Sequence, residues 1–150
     1  MRGAAGLSVA WAALVPAVLF FPEPSTANGG PEERRGRAVC LDDSGEPRVC
    51  GPAQSRFGLV GKGGRVERFL PTDSLAGMFR DPRVRERELL VRVRLRPDGA
   101  LEIIKVYSVK SGALYDLSYF CEVCNITAYE PGPCPCCRRE MELQETPVLP

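Results

Sequence analysis

The chain has 150 residues, room for one ordinary domain with a small appendage, and its 44% hydrophobic and 26% charged residues are a globular composition that excludes a largely disordered chain. Twenty Lys and Arg against nineteen Asp and Glu leave a net charge of +1, which argues against a dedicated nucleic-acid binder. There is no histidine, so the Ser-His and Cys-His pairs of the usual hydrolases cannot be built, and the expectation is a protein that is not an enzyme.

The chain opens as an exported one does. Arg2 precedes an uncharged run of eighteen residues, Ala4 to Phe21, and Ser25 and Ala27 are small residues at the spacing a signal peptidase reads. Residues 1–27 are therefore expected to be a signal peptide cleaved after Ala27. The alternative is an N-terminal anchor formed by residues 4–21, since eighteen helical residues span roughly 27 Å. Either way the remainder lies outside the cytoplasm, periplasmic or extracellular, with membrane contact only if the apolar segment is retained. Residues 28–37, rich in Gly, Pro and charge, read as a flexible leader.

Residues 38–118 read as a small β domain. Cys40 and Cys50 enclose nine turn-rich residues, a short hairpin, and in an oxidising compartment the expectation is a disulfide between them. Phe57 to Leu70 fit two short strands around a Gly61–Gly64 turn. Leu75, Met78 and Phe79 fall at helical spacing behind Thr72 or Asp73 as N-cap, and Asp81-Pro82 offers a second helix start. Leu89, Val91, Val93 and Leu95 alternate with Leu90, Arg92, Arg94 and Arg96, so one strand face is buried and the other wet. Pro97-Asp98-Gly99 turns the chain into a second strand, Leu101 to Val109, where Ile103-Ile104 breaks the alternation and suggests a bulge or burial on both faces. A further strand through Tyr115, Leu117 and Tyr119 runs into Cys121. These strands and a short helix predict a mainly β fold, a small OB-like β-barrel whose closure removes exposed edges. The arginines between Arg80 and Arg96 read first as a solvated strand face and second as a docking face for an anionic surface.

Residues 119–150 hold five of the seven cysteines. Cys121 and Cys124 form one C-x2-C pair, Cys134 and Cys137 another, nine residues apart, and Pro131-Gly132-Pro133 turns the chain back between them. Two such pairs are the ligand pattern of a zinc ribbon, each turn presenting two sulfurs to one tetrahedral ion. Thiolates are soft donors, so the expected metal is zinc, with Fe or Cu(I) as alternatives. Cys136 is left over as an accessory thiol, its side chain expected to point away from the other sulfurs.

The stretch Tyr119, Cys121, Pro131, Gly132, Cys134, Pro135 and Cys137, followed less regularly by Met141 and Leu143, resembles the short heavy-metal-binding domain of bacterial metal-efflux proteins, with Cys124 in place of that family's histidine. The whole chain is also similar to exported bacterial proteins that join a β domain to such a tail. The resemblance implies metal handling in the cell envelope. From spacing alone three readings stand: a Cys-ligated zinc-ribbon-like tail serving metal handling or contact with an envelope protein, a disulfide-stapled interaction module without metal, and a thiol redox protein. The last would want a thioredoxin-like βαβ frame, which the pattern lacks.

Overall fold

The computed structural model describes residues 30–149, so the signal or anchor expected over residues 1–27 lies outside the described residues. In chain order the elements are β1 (Glu32–Leu41), β2 (Pro47–Arg48), β3 (Phe57–Val60), β4 (Val66–Arg68), a 3-10 helix (Ser74–Arg80), α1 (Pro82–Arg85), β5 (Leu89–Leu95), β6 (Leu101–Lys110), β7 (Ala113–Cys121), β8 (Ile126–Ala128) and β9 (Glu142–Pro147). The strands form one antiparallel sheet in the order β4-β3-β1-β5-β6-β7-β8, with β2 added to β1 and β9 to β7. The sheet is open. Among the described residues no ladder joins β4 to β8, so the pairing does not show the closed OB-like barrel expected from the sequence. One parallel bridge, Phe69 to Leu101, ties the chain after β4 to the start of β6, and the Leu70 N–H donates to the Leu101 carbonyl at 2.8 Å.

The expected flexible leader is corrected. Glu32–Gly36 pair with β5, and the same strand then passes to β3 at Arg37. Its charged residues alternate as a strand requires: Glu33, Arg35 and Arg37 are exposed, while Arg34 is half-buried between Glu32 at 2.6 Å and Glu67 at 3.1 Å. Gly36 serves close packing, not flexibility, because a Cβ there would collide with the Val60 carbonyl. The loop-like composition hid a strand whose two faces are both charged.

The hydrophobic pattern places the core as expected. Leu89, Val91 and Val93 are fully buried, as are Leu101 of β6 and Leu117 and Tyr119 of β7. Leu95 is exposed and Leu90 is buried on the opposite face, so the alternation holds only through the middle of β5. Ile104 is the bulged residue, since Arg92 pairs with Lys105 and Val93 with Ile103. The helical segment lies on the sheet. Asp73 caps the 3-10 helix by accepting from the Leu75 N–H, and Asp81 caps α1 by accepting from the Arg83 N–H. Phe79 between them stacks on Phe69 at 5.1 Å and meets Phe57 edge-on at 5.9 Å.

Two carboxylates, Asp81 buried and Glu145 half-buried, fasten the C-terminal part to this core. Asp81, 5% exposed, pairs with Arg83 at 2.7 Å and accepts from the Tyr119 hydroxyl at 3.0 Å. Glu145 on β9 accepts two bonds from Arg87 at 2.8 Å, one from Ser108 at 2.6 Å and one from Lys110 at 2.6 Å. The Arg87 guanidinium, joined by Lys110 and Ser108, outweighs burial and holds its carboxyl down to about 2. The core is a single cluster that includes Cys121, Cys134 and Met141 beside the β5 and β6 residues, so sheet and core both run through residue 118 into the cysteine-rich segment.

Two predictions follow from these contacts. Cys40 and Cys50 are bonded, with Cα atoms 5.3 Å apart, and replacing both by Ser should lower stability by roughly 2–3 kcal/mol, the loop-closure value for so short a segment; equal urea midpoints would remove the staple from any stabilising role. Glu145 titrates below its ordinary 4.5 in the folded chain, so its contribution is complete above about pH 4.5 and is lost as pH falls towards 2. The stability gap between wild type and Glu145→Gln should therefore be wide at pH 6 and narrow at pH 3. A gap independent of pH would show that the network does not stabilise the carboxylate.

Candidate metal centre

Both C-x2-C pairs are hairpin turns of the same build. Cys121 ends β7 and pairs with Ile126 of β8, leaving residues 122–125 as the turn. In the second turn the Cys134 N–H donates to the Arg139 carbonyl at 2.7 Å, the Arg138 N–H donates to the Cys134 carbonyl at 3.0 Å, and Pro133 bridges Glu140. The residue after the last cysteine of each pair is left-handed: Asn125 has φ 54° and Arg138 has φ 63°. That conformation costs a residue with a Cβ on the order of 1–2 kcal/mol, less for Asn. The same strained position taken twice marks two copies of one knuckle.

The chain between the knuckles folds back at the expected place. Gly132 is left-handed at φ 133°, which Gly alone adopts easily, and the Met141 N–H donates to its carbonyl at 3.2 Å. The turn brings Cys134, fully buried, against Cys121, 2% exposed, while Cys124 and Cys137 sit half-buried. All four sulfurs lie within 4.8 Å of one another, and Cys121 Sγ is 3.5 Å from Cys137 Sγ. Four thiolates about 2.3 Å from a tetrahedral ion stand about 3.8 Å apart, so the four sulfurs fit one ion.

Backbone donors prepare the knuckles for thiolates. The N–H groups of Cys137 and Cys136 point at the Cys134 sulfur and lower its pKa to about 7 against the effect of burial. The Cys124 N–H does the same for Cys121, but burial and the thiols of Cys137 and Cys134 outweigh it and the pKa rises. Cys124 is raised furthest, by hydrogen bonding with the Cys136 thiol first and with Cys137 second. A cluster of thiols this close cannot ionise together without a cation among them, whereas a soft divalent ion would hold all four deprotonated.

The structure thus brings together Cys121, Cys124, Cys134 and Cys137 and leaves Cys136 outside that group and exposed. Cys40 and Cys50, bonded to each other, take no part. Sequence reading passed over the residues that aim the knuckles. Asn125 carried a usable signal, being the non-glycine residue best suited to a left-handed turn. Arg138 carried none. Tyr119, two residues before Cys121, is held by Asp81, and Glu145 locks the strand that follows the second knuckle; neither partnership spans a distance that local pattern can read.

No protein-family model, curated protein or solved structure matches the chain. Among the described residues no helix is long and apolar enough to cross a membrane.

The geometry separates the five thiols experimentally. Cys136→Ser should leave metal content unchanged at one ion per chain, while Cys134→Ser and Cys137→Ser should lose it, as measured by elemental analysis of the purified protein. Loss in Cys136→Ser with retention in Cys137→Ser would overturn the ligand assignment.

Proposed function

We propose that this chain is an exported, non-enzymatic β protein that holds one zinc ion through Cys121, Cys124, Cys134 and Cys137. The observation that carries the reading is the duplicated knuckle, which delivers four sulfurs to one point from two hairpin turns of like geometry. Four thiolates fill a tetrahedral ion and leave no position for water or substrate, so the ion's role is to build and hold structure. Zinc is preferred over Fe and Cu(I) because it takes tetrahedral sulfur ligation without redox chemistry. The Cys40–Cys50 bond supports export, being compatible with an oxidising compartment.

The first part of the chain is read as an OB-like half-barrel. Supporting this are the partner switch of β1 from β5 to β3, the helical segment between β4 and β5, and the parallel Phe69–Leu101 bridge that links the two arms. On this frame the metal-bearing segment serves contact with an envelope protein or metal handling, the latter favoured by the exposed Cys136 beside Cys124. The 3.5 Å approach of Cys121 and Cys137 also favours a second reading, an interaction module stapled there by a disulfide without metal.

A strong chelator distinguishes the two. In the metal protein, chelation should release one zinc, expose the four ligand thiols together with Cys136 to thiol reagents, and remove hydrogen-exchange protection from β8 and the second knuckle. Unchanged protection, with a non-reducing peptide map linking Cys121 to Cys137, would replace the metal by the disulfide.

A further inference from the structure

A concavity of about 470 Å³ outside the thiol cluster runs along the exposed face of β1 where that strand changes partner. Arg35, Arg37 and Val39 line it from β1, Val60, Gly61 and Lys62 from the turn after β3, and Glu88 from the chain before β5. Its shape follows from Gly36, which lets the β1 backbone close on Val60 and so leaves the side chains on either side as walls around a floor of half-buried valines. The charges do not cancel. Among the described residues Arg35, Arg37 and Lys62 have no ion pair, as Arg65, Arg68, Arg85 and Arg92 outside the groove also have none, and the groove sets these three cations against one carboxylate, Glu88. Register places Arg92 on the same face, opposite Glu33.

We propose that this groove docks the protein on an anionic phospholipid surface, with headgroup phosphates against Arg35, Arg37 and Lys62 and the lipid's apolar part against Val39 and Val60. Three unpaired cations beside an apolar floor are the complement of an acidic headgroup. Chain length supplies the second argument. Phe21 ends the uncharged run and Glu32 begins β1, so ten residues separate them, at most about 35 Å when extended. While that run lies in a bilayer, the groove at the start of β1 is kept within reach of the headgroups, and the open face of the groove suits a surface better than an enclosed soluble ligand. The inference is independent of the metal reading, since none of the eight residues that line the groove is near a cysteine of the cluster in sequence.

The test uses the protein as recovered from cells, with vesicles of phosphatidylcholine alone or containing one-third phosphatidylglycerol, at 0.1 M salt. The quantity read is the ratio of binding to the two vesicle types, to which any retained apolar segment contributes equally. The ratio should fall on the order of a hundredfold in Arg35→Ala/Arg37→Ala/Lys62→Ala, roughly fivefold per cation, and should vanish at 1 M salt. Arg94→Ala/Arg96→Ala, two arginines already paired with Glu102, should keep it, and thermal unfolding of both variants checks that the fold is intact. A ratio of one in the wild type, or the same loss in both variants, overturns the proposal. Competition by millimolar glycerol phosphate would assign the groove to a soluble phosphate, and binding of an acidic peptide without vesicle binding would assign it to a protein; either result also overturns it.

Discussion

Strand β7 is the constraint on which the rest of the molecule depends. One of its edges is shared, β6 taking residues 113–116 and β8 residues 119–121, while β9 covers residues 115–120 on the other. A strand clasped in this way cannot shift register without breaking three ladders, and a slip by one residue would turn Leu117, Tyr119 and Cys121 out of the core together. Tyr119 adds a fixed point, its hydroxyl donating to a carboxylate that already caps α1 and pairs with Arg83. The position of Cys121 is thereby set jointly by β6 and the helical segment on one side and by β8 and β9 of the cysteine-rich segment on the other.

The partner knuckle is positioned from the other direction. The chain after Cys137 returns as β9, and Glu145 on that strand gathers Arg87, Ser108 and Lys110 from three places in the β domain. Glu145 is half-buried, so the four bonds offset a partial desolvation cost as well as fixing geometry. Between two anchored ends, the segment folds back at Gly132. The four sulfurs converge between two arms that the frame fixes, an arrangement that would lower the ordering cost of binding an ion relative to a free peptide.

What the sequence disclosed and what it withheld divide along physical lines. Signals carried by a few neighbouring residues were legible: the caps at Asp73 and Asp81, the turn at Pro97-Asp98-Gly99, the bulge at Ile104, the Cys40–Cys50 hairpin and the two C-x2-C turns. Long-range consequences were not. Residues 28–37 looked like a leader because alternating charges on a doubly polar strand have no apolar period, and only the ladder to Leu89–Val93 reveals Glu32–Gly36 as β. The role of Glu145 lay in three residues distant in sequence, and β9 itself, spelled Glu-Leu-Gln-Glu-Thr-Pro, has almost no strand pattern of its own. Barrel closure was inferred from edge avoidance, whereas the sheet keeps its ends open and covers β7 by adding short strands.

The cysteines divide by how they were placed. Cys40 and Cys50 stand at the mouth of one hairpin with their Cα atoms 5.3 Å apart, close enough to bond with no third partner. In each knuckle, by contrast, the first cysteine's sulfur meets backbone N–H groups of its own turn, which lower the Cys134 thiol but are outweighed at Cys121 by burial and the neighbouring thiols. The closest sulfurs then belong to different turns, Cys121 and Cys137, which is the arrangement of ligands around an ion and also the one contact through which oxidation could enter. A cation held between them removes that route by occupying both lone pairs. Backbone donors lower the Cys134 thiol to about 7 and so supply thiolate near neutral pH, the form that a soft ion and a thiol exchange would both draw on.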